Sequence, residues 1–158
     1  ARSRTYRYYF PDAPPKIGEM EKASKHFLGV HDFTHFARAS DRNPQRNILA
    51  VRLAEEDGFV FFEVTAESFL WHQVRCMASA LLSVGNGERG EGSILQYFGA
   101  DPGRPLSPAP AEGLVLWETD CGVSWAPLAE GEKSRSFMDH LCRHHALMNK
   151  VCRVLKTP

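Results

Sequence analysis

Residues 46–66, RNILAVRLAEEDGFVFFEVTA, decide the fold class of this chain. Two runs rich in β-branched and aromatic residues flank the pair Asp57-Gly58. An Asp-Gly pair between two such runs is typical of a tight hairpin turn, so we predict two antiparallel strands joined at this point.

The residues on either side of this hairpin predict the rest of the core. TYRYYF at 5–10 has the aromatic content of a strand, and residues 16–29 predict a helix that ends at Gly29. Residues 31–45 predict a loop with aromatic anchors. Residues 68–87, SFLWHQVRCMASALLSVGNG, predict a long helix. Helical spacing in these two helices predicts two buried stripes, Ile17, Met20, Phe27 and Leu28 in the first and Leu70, Val74, Met77, Ala78 and Leu81 in the second.

Three more elements follow along the chain. Ser93 is predicted to cap a short helix, residues 112–122 predict a strand, and residues 134–155 predict a C-terminal helix. The order is therefore β-α-β-β-α-β, the ferredoxin-like arrangement of an α+β fold. We expect one domain over residues 1–158, with one antiparallel sheet, helices packed against it and an extra C-terminal helix. Because this fold supports many functions, the function must be argued from sites.

Composition narrows the class of protein. The 158 residues are 43% hydrophobic and 24% charged, as in a globular protein, and 19 basic residues balance 19 acidic ones. A polyanionic partner would therefore need a local basic patch, which Arg2, Arg4 and Arg7 could supply. No apolar run is long enough for a membrane span, and the four cysteines form no C-x-x-C pair. We expect reduced thiols and a cytoplasmic protein, or a nuclear one if the source is eukaryotic.

Arg75 is the most informative single residue, because it stands alone in an apolar helix and cannot lose its charge. It is either a positioned cation for a carboxylate or phosphate, with His72 one turn away, or a partner in a structural ion pair with Glu63, Glu67 or Glu112. The small residues Cys76, Ser79 and Ser83 allow another element to approach this helix closely.

Tyr6 and Tyr8 alternate with basic residues in the first strand, which places them on one face and Arg7 and Tyr9 on the other. Aromatic and arginine planes stack on unpaired bases, whereas the ordinary alternative is an amphipathic strand with packed tyrosines.

Two histidine patterns allow other functional interpretations. His140 and His144, with Cys142, could form part of a metal site, but no further ligand completes it and we expect no metal. His31 and Asp32 could suggest acid–base chemistry, although an aspartate at the opening of a loop is more often a cap.

Several stretches together are similar to one family. ARSRTYRYYF resembles the R-x-Y-x-Y strand of the TruA-type tRNA pseudouridine synthases, and ASKHFLGVHDFTHFA resembles their G-x-H-D-F segment. NPQRNILAVRL, ESFLWHQVRCMASALLSVGNG and APAEGLVLWETD resemble the R-N-(I/V) strand, the F-L-x-H-(Q/M)-(V/I)-R helix and the A-x-x-x-G-L-x-L strand of the same family. The matches run in the family's order over residues 2–120, in its C-terminal half, and are closest to the archaeal and eukaryotic branch.

The resemblance implies a specific chemistry. Family members convert uridine to pseudouridine in tRNA, commonly in the anticodon stem-loop, without a cofactor or metal. It implies that Tyr6 stacks on the target base, that Arg75 pairs with a catalytic aspartate and that Leu114 lines the pocket. Arg2, Arg4, Arg7 and His72 are then candidate RNA contacts. The expected partners are tRNA and the N-terminal half of the same protein. A homodimer is left open, and no membrane is expected.

The family carries its nucleophilic aspartate in a G-R-T-D motif of the N-terminal half, and that motif is absent from these 158 residues. We therefore expect that this chain alone does not catalyse the reaction. The alternative functions are a non-catalytic RNA-binding module of ferredoxin-like fold that uses Tyr6, Tyr8 and the N-terminal arginines, and a small metal enzyme built on the C-terminal histidines.

Overall fold

The computed structural model of the chain describes residues 1–38, 43–99, 106–124 and 131–156. The chain divides into two compact units, residues 1–123 and residues 124–158. The first unit contains the sheet and the helices around it. The second contains one helix.

A five-stranded sheet forms the centre of the first unit. Its strands are β1 (Ser3–Tyr9), β2 (Gly29–Asp32), β3 (Gln45–Glu56), β4 (Phe59–Ala66) and β5 (Leu114–Asp120). They lie in the order β2-β3-β4-β1-β5, and every neighbouring pair is antiparallel. This confirms the α+β class and the antiparallel sheet predicted from sequence.

The β3–β4 hairpin turns at the predicted pair. Asp57 has a φ of 52° and Gly58 a φ of 79°. Positive φ at both central residues defines the type I′ turn, whose twist matches that of the two strands.

Strand β2 was not predicted, because its residues fall partly in the segment assigned to a loop. It has only four residues and pairs along one edge with β3, from Gly29 opposite Ile48 to Asp32 opposite Gln45. A strand this short, with alternating partly and fully exposed residues, gives little periodic signal in the sequence.

The helices of the first unit are α1 (Ile17–Ser24), α2 (Gln73–Gly85) and α3 (Ser93–Gln96). Short 3₁₀ helices span Lys25–Phe27, Thr34–Phe36 and Ala111–Gly113. Gly92, not Ser93, is the N-cap of α3, so the predicted serine cap is wrong. Ser93 is instead the first helical residue, and its buried Oγ has no hydrogen-bond partner among the described residues.

The core lies between the helices and one face of the sheet. All five residues of the predicted α2 stripe are buried, as are Met20 and Phe27 of the α1 stripe. Ile17 and Leu28 are 36% and 42% exposed, so the α1 stripe was only half right. Leu28 follows the 3₁₀ helix that replaces the α-helix after Ser24, where the α-helical repeat no longer applies, and Ile17 is the first residue of α1.

Helix α2 begins five residues later than predicted. Residues 68–72 form a loop that ends at His72, whose φ of 66° lies in the left-handed region. The side chain of Gln73 is fully buried, and its Oε1 accepts a hydrogen bond of 2.7 Å from the Leu70 amide. This bond satisfies a backbone donor of the loop that a longer helix would otherwise have used.

The second unit contains α4 (Glu132–Lys156), which confirms the C-terminal helix. None of its described residues is buried. In the described part of the chain, no helix has both the length and the apolar character needed to cross a membrane.

Candidate active site

A cleft of about 330 Å³ opens between β1, the start of β5 and the N-terminal end of α2. It contains three residues proposed from sequence for the catalytic pocket and one proposed for RNA binding. Tyr6, Arg75 and Leu114 were proposed for the pocket, and His72 was proposed for RNA binding. The fold thus brings together side chains that are up to 108 positions apart in sequence.

Tyr6 forms the floor of the cleft from the middle of β1. It lies opposite Val64 of β4 and Leu116 of β5, and it remains partly exposed. Its ring meets the ring of Phe69 edge to face, with the two centroids 5.2 Å apart. This contact fixes one edge of the tyrosine ring and leaves an aromatic surface inside the cleft.

Tyr8 does not contribute a second stacking surface. It is only 2% exposed and packs against Phe10 inside the core. The RNA-binding alternative required Tyr8 to reach a base, and in this part it is wrong.

The backbone of Ala109 holds Arg75 in place. The Arg75 Nε donates a hydrogen bond of 2.6 Å to the Ala109 carbonyl, and the Ala109 amide donates one of 3.1 Å to the Arg75 carbonyl. The small residues of α2 therefore do admit a neighbouring element, as the sequence indicated.

No carboxylate in the described part of the chain lies within 4.0 Å of the Arg75 guanidinium. Glu63, one of its three proposed partners, is paired with Arg7. The structural ion pair is therefore wrong for Glu63, Glu67 and Glu112. The Nη donors of Arg75 have no hydrogen-bond partner in the described residues and are available to an anion in the cleft.

The loop before α2 forms one wall of the cleft. His72 adopts its left-handed conformation there, and Trp71 lies under the guanidinium of Arg38, 4.7 Å from the ring centroid. The Arg38 amide also donates to the Trp71 carbonyl at 3.1 Å. Histidine tolerates positive φ better than most residues, but at some cost in energy, and the contacts around it offset that cost.

Leu114 forms the opposite wall and depends on a glycine. Any side chain at Gly113 would lie 2.5 Å from the Tyr9 carbonyl oxygen and 3.0 Å from the Tyr8 ring. Glycine therefore allows the chain to approach β1 closely enough for Leu114 to enter β5 opposite Tyr8.

The Cys76 thiol, which follows Arg75 in the sequence, is not suited to act as a nucleophile. Burial raises the pKa of Cys76 to about 11, although the Arg75 charge acts in the opposite direction. A thiol with such a pKa is protonated at neutral pH. The described lining of the cleft contains neither Asp nor Glu.

The N-terminal arginines do not form one patch. Arg7 points to the face of the sheet opposite Tyr6 and is 8% exposed. Its Nε donates to the Glu63 carboxylate at 2.6 Å, and its guanidinium lies 3.5 Å from the centroid of Trp117. Arg7 is thus committed to contacts within the sheet. Arg2 is exposed, and by strand alternation Arg4 lies on the Tyr6 side of β1.

The remaining histidine patterns have structural explanations. The Asp32 Oδ1 accepts hydrogen bonds from the amide and the hydroxyl of Thr34, at 2.8 and 2.6 Å, a local turn contact, whereas the N-cap of the 3₁₀ helix that follows is Phe33. The His31 ring stacks on Phe98. Within the described residues, no three His, Cys, Asp or Glu side chains are grouped so that they could hold a metal ion.

Sequence reasoning missed the parts that hold the site together. Phe69, Gln73 and Ala109 were not singled out, although each positions a wall or the cation. A buried glutamine in the first turn of an apolar helix was the one available signal, because a buried amide requires partners. Nothing in the sequence around Ala109 indicates a backbone contact with Arg75.

Comparison with known proteins identifies related chains. Residues 23–120 match the family model described as tRNA pseudouridine synthase. The chain is 48% identical over 151 residues to tRNA pseudouridine synthase A of Methanoculleus marisnigri, and this match covers 96% of the chain and 56% of that relative.

Two other relatives give the same result. The chain is 39% identical to the synthase of Methanosphaerula palustris, over 98% of the chain and 55% of the relative, and 37% identical to that of Pyrococcus furiosus, over 75% and 45%. It therefore spans about half the length of the curated relatives that it matches. The cleft residues Phe69–Arg75, Ala111 and Leu114 lie inside the matched range, and on these findings the chain belongs to the tRNA pseudouridine synthase family.

Proposed function

We propose that this chain is the C-terminal catalytic portion of a tRNA pseudouridine synthase and forms one side of its active site. The single observation that carries this proposal is the Arg75 guanidinium, which faces a cleft with an aromatic floor and has no acidic partner among the described residues. A cation held in this way requires an anion from elsewhere.

In this proposal, residues from two parts of the protein carry out the reaction. The bond between N1 of uracil and C1′ of the ribose breaks, a bond between C5 and C1′ forms, the C5 proton leaves to solvent and N1 takes up a proton. In this proposal the nucleophilic aspartate comes from an N-terminal half, and Arg75 keeps that carboxylate ionised and oriented by charge-assisted hydrogen bonds.

The other cleft residues hold the base. A uridine must leave the base stack before its glycosidic bond can be reached, and an aromatic surface stabilises the extruded base. Tyr6, braced by Phe69, provides that surface, and Leu114 provides an apolar wall that excludes water. Arg2, Arg4 and His72 remain candidate RNA contacts, whereas Arg7 is occupied within the sheet. We propose the anticodon stem-loop as the substrate region.

Tritium release from tRNA labelled at uridine C5 tests this proposal. The chain of 158 residues is compared with a longer protein that extends upstream in its own reading frame. We expect release only from the longer protein. Release from the short chain would contradict the divided site, and tRNA binding by both without release from either would support the non-catalytic RNA-binding module.

A further inference from the structure

A second, polar cleft lies farther along the same flank of α2. It has a volume of about 190 Å³ and lies beside the C-terminal half of α2, next to the end of α3. Its described lining is Ser79, Ser83, Glu88, Arg89, Tyr97, Leu106 and Ser107. Arg75, Ser79 and Ser83 recur every four residues, so they lie on one flank of the helix. With a rise of 1.5 Å per residue, Ser83 is about 12 Å from Arg75 along the helix axis.

Hydrogen-bond donors converge in this cleft without partners. The hydroxyls of Ser79, Ser83 and Ser107 and the guanidinium of Arg89 line it, and none of them makes a side-chain hydrogen bond to a described residue. The Arg89 guanidinium lies 5.5 Å from the centroid of the Tyr97 ring. A concave site with several unpaired donors and one cation is suited to an anionic ligand.

The main chain that carries Arg89 is held at the end of α2. The amides of Glu88 and Arg89 both donate to the Ser83 carbonyl, at 2.9 and 3.2 Å, in the turn that ends α2. These bonds connect the two charged residues to the helix that carries Arg75. The two clefts therefore share one helix, α2, and a ligand that fills both would follow this helix.

The charges indicate which anion fits. Glu88 also lines this cleft, so its described lining carries a carboxylate acceptor as well as the Arg89 cation. A ribonucleotide carries both a phosphate, which accepts hydrogen bonds from Arg89 and the serine hydroxyls, and a 2′-hydroxyl, which can donate to Glu88. DNA lacks this second group.

We propose that this cleft binds the sugar and phosphate of a nucleotide close to the target uridine of tRNA. The inference rests on the proposed function, since it assumes that tRNA occupies the cleft at Arg75. Arg89 and the serines hold the phosphate, and Glu88 recognises the 2′-hydroxyl. The cleft then selects RNA and sets the distance between the target uridine and its neighbour.

The first test is tRNA binding by Arg89→Ala in the longer protein, measured as the Kd over a series of salt concentrations. Loss of one phosphate contact should raise the Kd about tenfold and reduce the slope of log K against log salt by about 1. The matched control is Arg52→Ala, an exposed arginine over Phe61 away from both clefts, which should change neither quantity. Equal effects of the two variants would overturn the proposal.

The second test addresses the 2′-hydroxyl. Single 2′-deoxy substitutions are placed in turn at the nucleotides that flank the target uridine. One of them should weaken binding to the wild-type protein, and Glu88→Ala should abolish that difference while Ser107→Ala should preserve it. Wild-type protein that is insensitive to all of these substitutions would contradict the recognition of ribose.

These outcomes separate the two proposals. Pseudouridine formation by the wild-type longer protein, together with unaltered binding by Arg89→Ala, would leave the proposed function intact and overturn the second cleft. Loss of binding by Arg89→Ala in a protein that forms no pseudouridine would support the cleft and overturn the catalytic assignment.

Discussion

Arg7 and Arg75 are both held inside the first unit, yet their surroundings differ sharply. Arg7 has carboxylates of Glu63 and Glu56 at 2.6 and 3.4 Å and aromatic rings of Trp117 and Phe61 at 3.5 and 4.4 Å. Arg75 has one acceptor, the Ala109 carbonyl, at 2.6 Å.

The difference separates a cation whose partners lie within the sheet from one whose donors face a cleft. A cation withdrawn from water must recover its lost hydration through ion pairs and hydrogen bonds, and Arg7 recovers it entirely within the sheet. Arg75 recovers only part of it from the described residues, so its remaining donors are available to a ligand or to another part of the protein.

Replacement of Arg75 should have the largest effect on catalysis. In the longer protein, the proposed function predicts that Arg75→Ala lowers kcat by about 100-fold or more, because the donors proposed to hold the catalytic carboxylate are removed, while the Kd for tRNA changes little. Single-turnover kinetics and filter binding measure the two quantities.

Arg75→Lys sharpens this test. It keeps the charge but loses the planar fork that bonds Ala109 and a carboxylate together, so it too should be poorly active. Equal losses of kcat and tRNA affinity in either variant would contradict the role of Arg75 as the partner of an aspartate.

Replacement of Arg7 should instead reduce stability. Arg7→Met leaves the partly buried Glu63 carboxylate without its partner, and the melting temperature should fall by several degrees. Arg75→Met should lower it much less. Thermal unfolding followed by circular dichroism measures both.

The double variant Arg7→Met, Glu63→Leu serves as the control. Because it removes both charges, it should recover most of the loss. A melting temperature for Arg7→Met equal to that of Arg75→Met would show that the two arginines do not differ as described.

Gln73→Leu tests the loop of residues 68–72 that leads into α2. It should lower the free energy of unfolding by about 1–3 kcal/mol, because the Leu70 amide loses its acceptor inside the protein. Urea denaturation measures this change. Gln96→Leu, at an exposed position of α3, is the matched control and should change it little.

Asp32→Asn should have the smallest effect, and it should depend on pH. Hydrogen bonds from the Thr34 hydroxyl and amide lower the pKa of Asp32 below its ordinary value of 3.8. The ionised carboxylate therefore contributes stability above pH 3.8, and the contribution disappears as the pH falls through the lowered pKa.

Urea denaturation midpoints of wild type and Asp32→Asn at neutral and acid pH measure this dependence. They should differ slightly at neutral pH and converge in acid. A difference between the two midpoints that grows as the pH falls would contradict a lowered pKa for Asp32.

The same comparison shows what the sequence could predict. The hairpin at Asp57-Gly58 and the buried stripe of α2 depend on neighbours within a few positions, and both were predicted correctly. The left-handed His72 was not predicted, because it ends a loop that is held by the bond from the Leu70 amide to Gln73 and by Arg38 against Trp71, and the sequence does not show the contact with Arg38. Arg7 and Arg75 each stand among apolar and aromatic residues in the sequence, and only the positions of Glu63, Trp117 and Ala109 distinguish them.

The reciprocal bonds between Arg75 and Ala109 have a consequence for mutational scans. Both atoms that Ala109 contributes belong to the peptide backbone, so replacing its side chain leaves the contact in place. Ala109 is only 6% exposed, so larger side chains are disfavoured there, but substitution by glycine should leave both bonds to Arg75 in place. Only a change to the main chain, such as proline at 109 or an ester in place of the amide, would reveal its contribution, because each removes the N–H group.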